Sequence, residues 1–90
     1  MKDFSGKIVV SLAGNDKGGL FAVLYCDSEY VYYANGRKRK AENPKKKKIK
    51  HIKVVCESGI TDISQATNGA IRKAVHAAGS AANQLCSDNI

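Results

Sequence analysis

Three apolar segments in the first third of the chain have the length and composition of β-strands. They are residues 7–13 (KIVVSLA), 20–26 (LFAVLYC) and 29–34 (EYVYYA), which are rich in β-branched and aromatic side chains. The second segment is apolar throughout, as is typical of a strand that is buried on both faces. Because only the turn residues Asp27-Ser28 separate the second segment from the third, these two are predicted to form a hairpin.

The middle of the chain is predicted to add two more strands. Asn35-Gly36 is a strong signal for a type I′ turn, which needs positive φ at both central residues, so residues 37–40 are expected to begin a fourth strand. Pro44 then lies in the next turn, where its missing N–H does no harm. Residues 48–56 (KIKHIKVVC) alternate between two faces and predict a fifth strand. Five short strands joined by tight turns predict a small closed or nearly closed β-barrel.

After residue 57 the apolar pattern changes to the period of a helix. Asp62 and Gln65 fit an N-terminal cap, and small apolar side chains then recur every three or four positions. These positions are Ile63, Ala66, Ala70, Ile71, Ala74, Val75, Ala78, Ala82 and Leu85. We expect a barrel over residues 1–57 and a helical extension over 58–90 that packs on or beside it. The alternative is weak self-association through the alanine-rich stripe.

Charge is concentrated in one part of the chain. The 90 residues carry a net charge of +7, yet residues 37–53 hold ten cations against one acid, Glu42, for a local charge of +9. The remainder therefore sums to −2, so the basicity is a patch. A focused basic patch attracts polyanions such as nucleic acid, an anionic membrane surface or acidic protein tails.

Several function classes lack the residue patterns they need. Neither His51 nor His76 lies in a recognisable nucleophile motif, GNDKGG does not have P-loop spacing, and the eight carboxylates are scattered, so we do not expect an enzyme. The three cysteines form no CxxC pair, so no metal site and no cofactor are expected. No apolar run approaches the length of a membrane span, and unpaired cysteines suit a reducing compartment, so a cytoplasmic location and no membrane partner are expected.

The basic patch predicts an RNA-binding surface. Its two cation groups would face each other across the Pro44 turn, and a fold that keeps such like-charge repulsion is expected to relieve it with phosphates. Arginines offer bidentate contacts and lysines act as point charges, while His51 either contacts RNA or is a partly buried strand residue. The predicted RNA-binding residues in this region are Arg37, Lys38, Arg39, Lys40, Lys45, Lys46, Lys47, Lys48, Lys50 and His51.

Four tyrosines accompany the patch. Tyr25 is interpreted as part of the core, with its hydroxyl at the rim. Tyr32 and Tyr33 point to opposite strand faces, and for each the two interpretations, base stacking or core packing, stay open.

A set of short motifs between residues 6 and 55 resembles a known family. The motifs are the strand KIVVSLAG, the turn DKG, the strand AVL, the segment YVYYANG and the basic run that ends in KHIKV. Together they resemble a KOW domain, most closely the L14e/L6e/L27e-type ribosomal-protein branch and small bacterial KOW proteins. The resemblance implies an SH3-like β-barrel that binds RNA, often ribosomal RNA. It places the characteristic glycine at Gly18 and the preceding lysine at Lys17, whereas the second lysine of many KOW sequences is replaced by Gly19.

The GNDKGG turn itself has two interpretations, which are compatible. It is a tight connection, or its successive backbone N–H groups form, with Lys17, a small rim that binds anions.

The sequence as a whole predicts a non-catalytic RNA-binding protein, and the KOW resemblance implies that it is similar to ribosomal proteins and able to associate with the ribosome. The alternative of another class is a protein-interaction module that docks a partner or dimerises through the barrel or the alanine-rich helix. A third interpretation takes PKKKKIK as a nuclear address, but the alternation that follows it favours a strand.

Overall fold

The computed structural model describes the backbone of residues 3–88 and the side chains of residues 3–80. Five strands are followed by one long helix, which confirms the prediction of a mainly β fold with a C-terminal α-helix. The strands are β1 (Lys7–Ser11), β2 (Leu20–Cys26), β3 (Tyr30–Ala34), β4 (Lys45–Lys48) and β5 (Ile52–Glu57), and the helix is α1 (Asn68–Asp88). Short 3₁₀ turns occupy Ile49–His51 and Ile63–Gln65.

The five strands form one antiparallel sheet in the order β4-β3-β2-β1-β5. In a flat sheet, β4 and β5 would lie four strand spacings apart, which is about 19 Å. The chain between Lys48 and Ile52 spans four Cα steps and reaches about 15 Å at most. The sheet must therefore curl. Within residues 3–88 no hydrogen-bonded ladder joins β4 to β5, so closure of a barrel stays a prediction.

Each face of the curled sheet has its own apolar core. The inner cluster consists of Val9, Phe21, Val23, Val31, Tyr33 and Ile52, with Phe4, Cys26 and Ile49 packed against it. The outer cluster consists of Ile8, Ala22, Ile71 and Ala78, with partly buried neighbours from β2, the second 3₁₀ turn and α1. Neighbouring residues of one strand thus point into different cores, as the two-residue period of a strand requires.

The helix packs against the outer face of the sheet. Ile71 and Ala78 are buried there, and Ala74 and Val75 are partly buried against the same cluster. These four positions of the alanine-rich stripe therefore face the sheet. The stripe positions Ala82 and Leu85 lie outside the residues whose side chains are described.

The predicted start of the helix is wrong by five residues. Asp62 does act as a cap, but its carboxylate accepts hydrogen bonds from the Ser64 amide (3.1 Å) and hydroxyl, which belong to the second 3₁₀ turn. The α-helix begins at Asn68, and Thr67 Oγ1 accepts from the Ala70 amide at 3.1 Å, which is an ordinary N-cap. Two capping residues in close succession explain the error.

The bounds of the predicted fourth and fifth strands are also wrong. Residues 37–40 belong to a loop that runs from Asn35 to Pro44 and joins β3 to β4. Gly36 has a φ of +75°, but Asn35 does not have positive φ, so the type I′ turn does not form. The predicted strand over residues 48–56 is interrupted by the 3₁₀ turn Ile49–His51, which lets Ile49 and Ile52 both reach the inner core.

Candidate nucleic-acid interface

The four lysines of β4 alternate between two environments. Lys45 and Lys47 lie opposite the buried residues Tyr33 and Val31 of β3, whereas Lys46 and Lys48 lie opposite Tyr32 and Tyr30. Directly opposed residues of an antiparallel pair share a face, so the first two lysines share the inner face and the other two the outer face.

Asp16 forms ion pairs with both inner lysines. Its carboxylate lies 3.0 Å from Lys47 Nζ and 3.3 Å from Lys45 Nζ, and it also accepts hydrogen bonds from the hydroxyls of Ser11 and Tyr33. Burial opposes the charged form of Asp16, but these four donors together hold the pKa of the carboxyl well below its ordinary value. The pKa of the Tyr33 hydroxyl moves in the opposite direction. Burial and the hydrogen bond to Asp16 raise it, so the hydroxyl remains a donor.

This network leaves two of the predicted residues, Lys47 and the base-stacking candidate Tyr33, inside the fold. The Lys47 side chain is only 10% exposed and also donates to the Ala13 carbonyl at 2.9 Å, so its contacts stabilise the fold. Tyr33 is fully buried, and its ring stacks on Phe21 with centroids 4.1 Å apart. The base-stacking interpretation of Tyr33 is therefore wrong, because no face of its ring is left for a base.

The loop between β1 and β2 uses its backbone donors internally. The amides of Lys17, Gly18 and Gly19 donate to the carbonyls of Gly14, Ser11 and Asp16 at distances of 2.8–3.2 Å. The interpretation of these successive N–H groups as an anion-binding rim is therefore wrong, and the turn is a tight connection. The Lys17 side chain is exposed, and Gly18 supports the turn with a φ of +86°.

The basic loop from Asn35 to Pro44 is held in place from two sides. Asn35 Oδ1 accepts from the amides of Arg37 and Arg39 at 2.9 and 3.1 Å, which shapes its first turn. The start of α1 holds the rest, because Asn68 Oδ1 accepts from the Ala41 amide at 2.8 Å and Arg72 donates to the Gly36 carbonyl at 3.3 Å. The loop therefore presents its cations from a fixed backbone.

Within this loop the cations are not equivalent. Arg37, Lys38 and Lys40 are exposed, whereas Arg39 is partly buried and donates to the Asn43 carbonyl at 3.3 Å. The predicted repulsion between facing strands does not occur, because this segment is not a strand and Asp16 pairs with Lys45 and Lys47.

One open pocket of about 380 Å³ brings cations from three segments together. Lys17 comes from the first loop, Lys38 and Arg39 come from the basic loop, and Lys45 comes from the start of β4. The remaining lining residues are Asn15, Asp16, Gly19, Phe21 and Asn35. Four cations against one carboxylate make this the most positive concave surface that the described pockets contain.

The other predicted residues lie at the opposite end of β3 and β4. Lys48 and Lys50 border a second pocket of about 390 Å³ together with Ser28, Glu29 and Ile49. His51 is partly buried, and its carbonyl accepts from the Leu12 amide at 2.8 Å. The predicted residues therefore form two groups, one around the start of β4 and one around its end. The exposed Lys46 lies on β4 between them.

Tyr25 is a surface residue, which the sequence pattern does not predict. A β-bulge between Val23 and Tyr25 sets one extra residue of β2 against β3, which pairs Tyr25 with Tyr32. Tyr25 is 52% exposed, and its ring stacks on that of Tyr32 with centroids 4.6 Å apart. Its interpretation as a core residue is therefore wrong. Strict alternation from Phe21 and Val23 places Tyr25 inside, and no signal in the sequence marks the bulge.

Two kinds of functional feature are absent from the described residues. No group of three or more histidine, cysteine, aspartate or glutamate residues among them is arranged to hold a metal ion. None of the helices in that part of the chain combines the length and the apolar character needed to cross a membrane.

Comparison with models of known protein families finds no match for this chain, and no curated protein is significantly similar to it. The resemblance to KOW domains therefore depends on the short motifs of the sequence alone.

Proposed function

We propose that this protein is a non-catalytic RNA-binding protein that holds RNA mainly through its phosphates. The observation that carries the proposal is the convergence of Lys17, Lys38, Arg39 and Lys45, from three separate segments, on one open pocket. A patch of this kind suits a polyanion, because each neutralised phosphate releases counterions and adds affinity.

The outward side of β4 extends this surface. Lys46 and Lys48 are exposed, and Lys46 Nζ lies 4.2 Å from the centroid of the Tyr30 ring. Contact with the ring favours one position of the ammonium group. Lys46 follows the pocket residue Lys45 but lies on the other face of β4, which is the edge strand of the sheet. RNA bound at the pocket therefore meets this second row of cations by passing around that edge.

The KOW resemblance supports the same proposal and makes it more specific. The antiparallel order β4-β3-β2-β1-β5 and the curl of the sheet are compatible with the SH3-like barrel that the resemblance implies. Within this proposal, the RNA is ribosomal RNA or another structured RNA, and sedimentation of the protein with ribosomes at low salt tests this specific form.

The main test is the salt dependence of binding to a short single-stranded RNA, followed by fluorescence anisotropy between about 50 and 300 mM NaCl. If about five phosphates are neutralised, the log–log slope of the binding constant against salt is near −3.5. Lys38→Glu/Lys46→Glu removes two of these contacts and is expected to bring the slope to about −2.

The matched control for that variant is Lys53→Glu/Lys73→Glu. It changes the net charge by the same amount at exposed positions outside both the pocket and β4. Equal losses in the two variants would show that only net charge matters, and a flat salt dependence of the unmodified protein would contradict the proposal.

A further inference from the structure

Tyr25 is one of the few large apolar side chains that the described surface exposes, and its position is unusual for an aromatic residue of a central strand. The bulge at Val23/Tyr25 turns the ring out of the inner core, where the two-residue period would otherwise place it. Bulges that redirect a side chain in this way are common beside functional sites.

Its partner Tyr32 holds the ring in a defined orientation. The two rings are inclined by 20° with centroids 4.6 Å apart, which is an ordinary stacked geometry. The Tyr32 hydroxyl lies 3.4 Å from Asp27 Oδ2, while the other oxygen of that carboxylate accepts from the amides of Glu29 and Tyr30 at 2.9 and 2.8 Å. The pair is therefore anchored to the turn between β2 and β3.

A groove of about 340 Å³ lies beside Tyr25. Its other walls come from the basic loop and the second 3₁₀ turn, and its lining residues are Leu24, Tyr25, Ala41, Ile63, Ser64 and Ala66. The walls are largely apolar. The exposed Lys40 directly precedes the lining residue Ala41, and Lys46 lies opposite Tyr32, the stacking partner of Tyr25. An apolar slot with an aromatic wall and flanking cations matches the chemistry of a nucleobase attached to phosphates.

We infer that Tyr25 is a stacking platform for an unpaired base, and that the groove beside it receives this base while Lys40 and Lys46 contact the adjoining phosphates. The inference depends on the proposed function and makes it more specific, because only single-stranded or looped RNA offers an unstacked base. Tyr32 supports the platform from the opposite side of the Tyr25 ring.

The test compares Tyr25→Ala with Tyr25→Phe on two ligands of equal charge, a single-stranded RNA and the same oligomer with abasic positions. Tyr25→Ala is expected to weaken binding to the intact RNA about 5- to 150-fold, whereas Tyr25→Phe keeps the ring and stays within about twofold. On the abasic oligomer both variants bind as the unmodified protein does. The salt slope stays unchanged in both variants, because stacking neutralises no phosphate.

Three outcomes would overturn the inference: equal losses on intact and abasic RNA, equal losses in the two variants, or no loss in Tyr25→Ala.

Should Tyr25→Ala fold poorly, photo-crosslinking of the unmodified protein to bromouridine-containing RNA replaces it. A crosslink at Tyr25 supports the platform, and crosslinks confined to other residues contradict it. If the unmodified protein binds no RNA, the proposed function fails; if it binds with a steep salt slope and Tyr25→Ala has no effect, only the platform fails.

Discussion

Asp16 is the residue that stabilises the basic end of the sheet. Its carboxylate faces Lys47, Lys45, Tyr33 and Ser11, and Lys47 has little contact with solvent. Removing one member of such a partly buried pair leaves the other charge without compensation. We therefore expect Asp16→Asn to lower the free energy of unfolding by about 3 kcal/mol in urea denaturation at neutral pH. The control is Glu57→Gln, whose exposed pair with Lys7 contributes at most about 1 kcal/mol.

The same carboxylate predicts how stability depends on pH. The pKa of Asp16 is lower in the folded protein than its ordinary value of 3.8, so its contribution is complete above that value and is lost as the pH falls below it. Asp16→Asn is therefore expected to differ most from the unmodified protein near pH 6 and least near pH 2. An equal difference at both pH values would contradict this account.

At the scale of single residues, the sequence predicts the location of the charge and does not predict what each cation contacts. The run Lys45–Lys48 has four identical letters, yet two of these lysines share a face with the inner core and two face outward. The strand register makes that division, and a run of identical residues contains no hydrophobic pattern that fixes the register. Tyr25 is misplaced for a related reason, because one extra residue in β2 reverses the face on which it lies.

At the scale of elements, the contact between the basic loop and the start of α1 decides whether the cations are presented in a fixed arrangement. Gly36 is buried there, and a Cβ at this position would overlap the Asn68 carbonyl oxygen and crowd Arg72. Its φ of +75° is also unfavourable for other residues. Gly36→Ala is therefore expected to cost at least about 3 kcal/mol, and thermal denaturation measures the loss.

Gly18→Ala is the matched control for this prediction. Gly18 also has positive φ, at +86°, but nothing lies within 4 Å of a Cβ placed there. Only the conformational cost of about 1 kcal/mol then remains. Similar losses in the two variants would show that the loop is not packed against the helix in solution.

The same elements show where pattern analysis succeeds and where it fails. The bounds of β2 are predicted correctly, since its apolar run ends at a glycine pair on one side and at Asp27 on the other. The segment between β3 and β4 is not predicted correctly, because the Asn35-Gly36 dipeptide can adopt two different turn conformations. Here Asn35 folds back on the amides of Arg37 and Arg39 instead of forming a two-residue turn, and the helix that selects this solution lies more than thirty residues further along the chain.

At the scale of the whole molecule, the charge is distributed unevenly over a compact fold. Residues 37–53 carry ten of the 15 lysines and arginines. Of these ten cations, only Lys45 and Lys47 form ion pairs with Asp16. The exposed cations therefore repel one another in the unbound protein. Salt screens such exposed charges strongly but affects partly buried pairs much less.

Salt should consequently have opposite effects on folding and on RNA binding. We expect the Tm of the unbound protein to rise by about 4 °C between about 50 and 500 mM NaCl, which corresponds to a repulsion of somewhat less than 1 kcal/mol. RNA binding weakens over the same interval, because the same cations then lose the advantage of counterion release. Lys38→Glu/Lys46→Glu/Lys50→Glu reduces the net charge from +7 to +1 and should abolish the rise, as followed by circular dichroism. A Tm that falls with salt in the unmodified protein would instead show that ion pairs such as those of Asp16 outweigh the repulsion.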